Sequence, residues 1–316
     1  MARLRARTTN RHLRVALGIG DDAAVLTPGR NTHTVVTTDS LVEQVHFRRD
    51  WSSAESVGHK ALAVNLSDLA AMGSEPEAFL LSLVLPDALP LADFDALIEG
   101  ALALARASGV ELVGGNIARS PGPLIVDVTA IGAIRPRRVL TRAGGRPGDE
   151  LYVTGWIGRA GAGLAILESG VARAGLTTAE AECLASLERP TPRIRQGLFV
   201  SRSRSANACI DLSDGLADGA RQLAEASGTG VEIDAAHLPV HPGAARMTPA
   251  EALTAAEDYE LLFAVSPKRR RGFLAAVSRA GRVPVTLVGR LTKTSSAVLI
   301  GPDGPVPLPP GHQHFL

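Results

Sequence analysis

Strand-like and helix-like patterns alternate along the whole chain, and this alternation restricts the possible fold more than any other feature of the sequence. In the first half, a β-branched run at 33–40 precedes a helical pattern at 52–73. Ser52 and Glu55 predict a capping box at the start of that helix, and Gly73 predicts its end. The second half alternates in the same way, which predicts α/β or α+β domains.

One stretch interrupts the alternation. RPRRVLTRAGGRPGD, at 135–149, combines Arg, Pro and Gly without an apolar period, which is typical of a linker. A chain of 316 residues also exceeds one average domain. We therefore predict two domains, residues 1–137 and 138–316.

The charge balance limits the classes of partner. The chain has 33 Lys and Arg against 32 Asp and Glu, and only 3% of its residues are aromatic, so we expect no nucleic-acid or membrane partner. The basic N-terminal segment is interpreted as a solvated arm, with phosphate contact as the minor alternative. Two cysteines without a C-x-x-C motif, and aliphatic runs too short to span a bilayer, predict a protein of the reducing cytoplasm.

Carboxylates follow or interrupt four separate apolar segments. They are Asp21 and Asp22 in GIGDDAAV, Asp39 in VVTTDS, Asp68 in AVNLSDLAAMG, and Asp211 and Asp214 in CIDLSDGL. Any one of them, taken singly, is typical of a helix cap or a turn. Together they indicate a site for Mg²⁺, which prefers hard oxygen ligands and usually accompanies phosphates. The usual nucleotide-binding signatures, a Walker A loop and a G-x-G-x-x-G turn, are absent from the sequence.

The order and spacing of several motifs resemble those of the thiamine-monophosphate kinase family, within the aminoimidazole ribonucleotide synthetase superfamily. The motifs are GIGDDAAV, KALAVNLSDLAAMG, LVGGN, IDLSDGL and EDYELLF. The resemblance implies a two-domain α/β (α+β) fold, with an N-terminal ATP- and Mg-binding lobe that forms a shared barrel in a homodimer, and a C-terminal α/β lobe. It also implies direct, in-line transfer of a phosphoryl group from ATP to thiamine monophosphate, assisted by several Mg²⁺ ions, in a cleft beside the barrel.

The resemblance also assigns site residues position by position. The implied metal ligands are Asp22, Thr37, Thr38, Asp39, Asp68, Asn116, Asp211 and Asp214. The implied ATP contacts are Gly115, Asn116, Arg142 and Ser213. The implied contacts to thiamine monophosphate are His46, Glu257 and His312. No catalytic residue is implied beyond these metal and phosphate ligands.

Four residues depart from the family pattern. Asn116 stands where the family has Asp, Ala255 and Ala256 stand where Gly-Gly is usual, and His312 stands where the family tends to place an aromatic residue. An amide oxygen still binds a hard cation but brings no negative charge. Two alternatives therefore stay open: a relative that phosphorylates another acceptor, and a paralogue that binds ATP without catalysis.

Overall fold

The computed structural model describes residues 14–19 and 23–311, which fold as two compact units. The first unit holds the described residues up to Leu69 together with Ser74–Arg137. The second unit holds Ala70–Gly73 and the described residues from Arg138 onward. The basic N-terminal segment, Asp21, Asp22 and His312 lie outside the described residues.

The first unit is built on a four-stranded sheet. A short antiparallel pair, β1 and β2, precedes the sheet, which has the strand order β3-β6-β4-β5. Strands β4 and β5 are parallel, and the other two pairs are antiparallel. The six strands are β1 (Val15–Leu17), β2 (Val25–Leu26), β3 (His33–Val42), β4 (Glu75–Pro86), β5 (Glu111–Ser120) and β6 (Ile125–Ile134).

The two faces of this sheet differ in burial. Along β6, Val126 and Val128 are buried, whereas the intervening Asp127 and Thr129 are half-buried. Successive side chains of a strand point to opposite faces, so at β6 the sheet has one buried, apolar face and one open face, which carries Asp127 and Thr129. Pairing in register assigns each residue of the neighbouring strands to one of these faces.

Two helices accompany the sheet, α1 (Ala54–Ala71) and α2 (Leu91–Ser108). Their backbones touch, because a Cβ added to Gly58 of α1 would lie 1.8 Å from the carbonyl oxygen of Leu97. Gly100 of α2 approaches Glu55 equally closely. Only glycine permits this separation, so the crossing of the two helices is fixed at these two positions.

Helix α1 has a capping residue at its start and a terminating glycine at its end, and the capping residue differs from the predicted one. The capping box predicted at Ser52 is wrong, because the helix begins at Ala54 and the backbone N–H of Ser56 donates to the Ser53 hydroxyl at 3.2 Å. The next serine along the chain is therefore the cap. The predicted terminator is confirmed, since Gly73 has a left-handed φ of 66°.

The second unit contains a seven-stranded sheet flanked by helices. The strand order is β13-β12-β9-β11-β7-β10-β8, and every pair is antiparallel except β9 with β12. The strands are β7 (Glu150–Thr154), β8 (Ala208–Asp211), β9 (Gly230–Asp234), β10 (Leu261–Val265), β11 (Val285–Thr292), β12 (Ala297–Gly301) and β13 (Gly304–Pro307). The helices are α3 (Arg159–Ser169), α4 (Thr178–Glu188), α5 (Ile194–Ser203), α6 (Leu216–Ser227), α7 (Pro249–Thr254) and α8 (Arg270–Ala280).

Two apolar cores use alternate residues of the same strands. In β7, Val153 packs with Leu223 of α6 in one core, whereas Tyr152 packs with Phe273 of α8 in the other. Alternate side chains of a strand point to opposite faces, so helices cover both sides of this sheet. Both units thus have the mixed strand and helix content that the alternation predicts. Of the helices described, none is both long and apolar enough to cross a membrane.

Candidate active site

In the first unit, three of the predicted site residues meet between β3 and α1. The Thr37 hydroxyl donates to Asp68 Oδ2 at 2.5 Å, and Asp39 also shares a hydrogen bond with Asp68. Although part of Asp39 is exposed, desolvation by the surrounding protein, followed by the like charges of Asp68 and Asp127, raises its pKa to about 6. This pair of facing carboxylates is therefore a strong attractor for a cation.

The register of the sheet separates two other predicted metal ligands from that group. Thr38 lies between Thr37 and Asp39 on β3, and its hydroxyl pairs with the Thr129 hydroxyl at 3.0 Å on the open face. Asn116 is in register with Ser82, which is in turn in register with Asp127. Asn116 is therefore on the open face, in one transverse row with Asp127.

Gly115 marks a place where two strands approach closely. Its φ is 151°, and a Cβ at this position would lie 1.8 Å from the carbonyl oxygen of Leu81 on β4. A larger residue is therefore excluded, and the backbone of Gly115 and Asn116 stays accessible on the edge strand β5. The same two residues line a small, mainly apolar pocket with Leu81, Leu83 and Leu112.

The oxygen donors of the first unit suit magnesium. Asp39 and Asp68 supply carboxylates and Thr37 supplies a hydroxyl, and these are the hard ligands that Mg²⁺ prefers. Within residues 14–19 and 23–311, no group of three or more His, Cys, Asp or Glu side chains could hold a metal ion. The donors fit an ion that completes its coordination with water and phosphate oxygens, as magnesium commonly does.

In the second unit, two backbone hydrogen bonds join the loop after β8 to the segment before β10. Glu257 N–H donates to the Ser213 carbonyl at 2.6 Å, and Tyr259 N–H donates to the Leu212 carbonyl at 3.0 Å. The Ser213 hydroxyl also donates to Asp214 Oδ2 at 3.1 Å. The structure thus brings together three predicted site residues, directly after the buried Asp211 that ends β8.

The segment before β10 is strained at two non-glycine residues. Glu257 has φ 68° and Tyr259 has φ 49°, which is uncommon outside glycine and asparagine. Ala255, in contrast, has φ −62°, so this alanine causes no strain where the family usually has glycine. The unusual backbone geometry lies at the predicted substrate contact itself.

Two further carboxylates of this segment were not singled out from the sequence. Asp258 accepts hydrogen bonds from the N–H groups of Gly158, at 2.7 Å, and Ala160, at 3.0 Å, at the start of α3. Burial raises the pKa of Asp258 to about 7, although both N–H donors favour its ionised form. Glu260 forms a buried ion pair with Arg193. The only sequence signal for either residue is the acidic EDYEL motif.

Arg142 and His46 lie in different surroundings. The exposed Arg142 guanidinium donates to Gln222 Oε1 of α6 at 2.6 Å. His46 belongs to the first unit, in the loop after β3, where its Nδ1 accepts the backbone N–H of Val42 at 3.1 Å. The structure therefore shows the local setting of each residue, while Asp22 and His312 lie outside the residues it describes.

Comparisons with known proteins place these features in a family. The family model "AIR synthase related protein, N-terminal domain" matches residues 20–134, and the corresponding C-terminal domain matches residues 146–301. Thiamine-monophosphate kinase from Escherichia coli (strain K12) is 39% identical over 100% of this chain and 97% of its own length. The chain belongs to the thiamine-monophosphate kinase family. The predicted two-domain AIR synthase-like α/β fold is thereby confirmed.

Two solved structures support the family assignment. Thiamine-monophosphate kinase from Stenotrophomonas maltophilia K279a has a TM-score of 0.85 and 35% identity, over 95% of each chain. A structure described as AaThiL complexed with AMPPCP and TMP has a TM-score of 0.80 and 32% identity, over 94% of this chain and 92% of its own. That relative of the kinase family binds an ATP analogue together with TMP.

Proposed function

We propose that the protein phosphorylates thiamine monophosphate with ATP, giving thiamine diphosphate and ADP. One observation carries the proposal: full-length similarity to thiamine-monophosphate kinases, including 39% identity over 100% of the chain. The facing carboxylates of Asp39 and Asp68 agree with a reaction between two phosphate-bearing substrates, because such reactions need cations close to the phosphates.

Magnesium is the cofactor that the site chemistry favours. Within the first unit we assign Asp39, Asp68 and the Thr37 hydroxyl as magnesium ligands. Within the second unit, Asp211 and Asp214 are proposed as magnesium ligands by family resemblance. Asp22, Thr38 and Asn116 complete the proposed ligand set by family resemblance. When bound, magnesium neutralises negative charge on the transferring phosphoryl group.

The remaining residues bind and orient the two substrates. Gly115 and Asn116 on the edge strand β5 offer exposed backbone groups for ATP, while the Ser213 hydroxyl and the Arg142 guanidinium are donors for phosphate oxygens. Direct in-line transfer needs no nucleophilic side chain, because positioning and charge neutralisation supply most of the rate. His46, Glu257 and His312 are the proposed contacts to thiamine monophosphate.

We further propose a homodimer formed through the open face of the four-stranded sheet. Val36 of β3 is 61% exposed there, two residues from Thr38, so an apolar side chain lies on a face that also carries polar ones. A second copy of the sheet would cover this face and form the shared barrel. Sedimentation or light scattering of the purified protein should give twice the chain mass, and a value equal to the 32.9 kDa of one chain would contradict the dimer.

We place the reaction in the cytoplasm. Cys183 and Cys209 are both buried and free, which suits a reducing compartment. Nucleic acid and membrane surfaces are not among the proposed partners.

The direct test is an assay with purified protein, Mg-ATP and thiamine monophosphate, in which the thiamine phosphates are separated by chromatography. Thiamine diphosphate and ADP should form in equal amounts. ADP formed only with a different phosphate-bearing acceptor would indicate the first alternative, a relative with another substrate. ATP binding without ADP formation would indicate the second, a non-catalytic paralogue.

Asn116 supplies a second test of the metal assignment. Asn116→Asp restores a carboxylate, so the Mg²⁺ concentration for half-maximal activity should fall severalfold. Asn31→Asp makes the same charge change at an exposed position of the first unit and should leave that concentration unchanged. An equal response of both variants would show a general effect of charge and would contradict the role of residue 116.

A further inference from the structure

Lys60 of α1 is a buried cation for which the proposed reaction has no direct use. The residue is only 4% exposed, and its Nζ donates to the backbone carbonyl of His46 at 3.2 Å. Burying an ammonium group is unfavourable unless acceptors surround it, so an apolar side chain would fill the same space at lower cost. The His46 carbonyl is one of the acceptors that offset this cost, and the bond ties α1 to the loop that carries His46.

The loop that carries His46 is held at several points. Glu43 N–H donates to the Leu124 carbonyl at 3.0 Å, and Gln44, with a left-handed φ of 70°, donates its N–H to the Phe47 carbonyl at 2.8 Å. Phe47 is 7% exposed and anchors the end of the loop. Lys60 adds the contact at His46 itself, so the main chain at this residue is fixed from both sides.

The same loop determines where the imidazole carries its proton. A backbone N–H can only donate, so the bond from Val42 N to His46 Nδ1, at 3.1 Å, requires Nδ1 to be the unprotonated nitrogen. The neutral ring then carries its proton on Nε2. An imidazole in this form donates a hydrogen bond from Nε2 and therefore binds an acceptor atom.

We propose that Lys60 is a positioning residue for the phosphate acceptor: it holds the His46 carbonyl and so fixes the imidazole as an Nε2–H donor to an acceptor atom of thiamine monophosphate. This inference rests on the proposed function, in which His46 contacts that substrate. In this role Lys60 acts through His46. It therefore governs binding of thiamine monophosphate and leaves binding of ATP unaffected.

A double-mutant cycle tests this role. Lys60→Met removes the donor and keeps the length of the side chain, and His46→Ala removes the group through which Lys60 is proposed to act. The dissociation constant of thiamine monophosphate is measured calorimetrically with AMPPCP and Mg²⁺ present, and the kinetic constants are measured in parallel. Lys60→Met should weaken thiamine monophosphate about tenfold and change the KM for ATP by less than about twofold.

The cycle separates a positioning role from a structural one. In the His46→Ala background, Lys60→Met should have no further effect on affinity, and Lys60→Arg alone should recover most of the wild-type affinity. Leu97→Ala, at a position 1% exposed on α2, is the matched control and should lower stability without changing either affinity. Additive effects of the two variants, or an equal loss of ATP affinity, would overturn the proposal.

Two further measurements cover the remaining outcomes. If Lys60→Met does not fold, Lys60→Gln keeps a neutral donor at the position and should give a smaller loss by the same readouts. Imidazole ¹⁵N shifts in the wild-type protein should show His46 protonated on Nε2, and protonation on Nδ1 would overturn the argument. A wild-type protein that neither binds nor phosphorylates thiamine monophosphate would refute the proposed function, whereas normal turnover with an additive cycle would refute the role of Lys60 alone.

Discussion

Arg193 and Glu260 form a two-point ion pair inside the second unit. Arg193 Nε lies 2.6 Å from Glu260 Oε2, and a second guanidinium nitrogen bonds the other carboxylate oxygen. The side chains are 13% and 1% exposed, and the Thr154 hydroxyl donates to the same carboxylate at 2.7 Å. The pair thus links the start of α5 to the segment before β10, which also carries Glu257.

Breaking this pair should destabilise the protein strongly. Arg193→Met leaves the Glu260 carboxylate buried without its cation, which we expect to lower the free energy of unfolding by about 3–5 kcal/mol. Urea unfolding followed by circular dichroism measures the change. Arg290→Met, which removes an exposed pair with Glu232, is the control and should cost less than about 1 kcal/mol. Similar losses in the two variants would show that burial of the Arg193 pair is unimportant.

Asp258 should make stability depend on pH. Its pKa is about 7 in the folded protein against an ordinary value of 3.8, so the unfolded chain releases the proton more readily. This contribution to stability is fully present below about pH 4 and is lost as pH rises through 7, at roughly 1.4 kcal/mol per pH unit.

Asp258→Asn isolates that contribution. The difference in unfolding free energy between wild type and variant should shift in favour of the variant from pH 4 to pH 7 and then level off. Asp303→Asn, at an exposed site, should show a constant difference over the same range. A constant difference for Asp258→Asn would mean that the carboxylate is ionised throughout and that its two N–H donors outweigh burial.

Replacing Asp39 by Asn should raise stability and lower activity. Asp39→Asn relieves the repulsion between facing carboxylates, so in the presence of a chelator the variant should melt several degrees higher than wild type. The same change removes a proposed ligand charge, so kcat/KM should fall by at least about a hundredfold. A variant that retains full activity would refute the metal assignment of Asp39.

The contact between α1 and α2 should tolerate no added carbon. Gly58→Ala places a Cβ against the Leu97 carbonyl oxygen, and the helices must separate, which we expect to cost more than about 2 kcal/mol. Gly272→Ala is the matched change in α8, where nothing lies within 4 Å of the new carbon. It should stabilise the protein by about 0.5–1 kcal/mol, because alanine favours helix more than glycine does. Thermal unfolding of both variants distinguishes the opposite signs.

Sequence patterns predicted the long elements and missed several short ones. Strand β3 and helix α1 were found because their β-branched and apolar patterns extend over many residues. Helices α4 and α5 and strand β9 were missed. Helix α4 does carry a capping box at Thr177 and Glu180, a signal that the apolar pattern alone did not reveal.

The sequence allowed individual site residues to be predicted, but it did not show which of them lie close together in the folded chain. Asp39 and Asp68 are 29 positions apart, and their contact depends on how α1 packs, which no local pattern encodes. The separation of Thr38 from Thr37 follows from strand alternation once the register with β6 is known. Asp258 and Lys60 escaped notice because their importance comes from burial, a property of the folded chain.

The carboxyl group of Asp258 has one further consequence, for the glycine-rich segment 154–163. This segment, TGWIGRAGAG, runs from the last residue of β7 into the start of α3, and it has the composition of a turn that binds phosphate at the start of a helix. The carboxyl group of Asp258 already takes up the N–H groups of Gly158 and Ala160. A phosphate group would therefore have to displace one of the protein's own side chains to reach these two N–H groups.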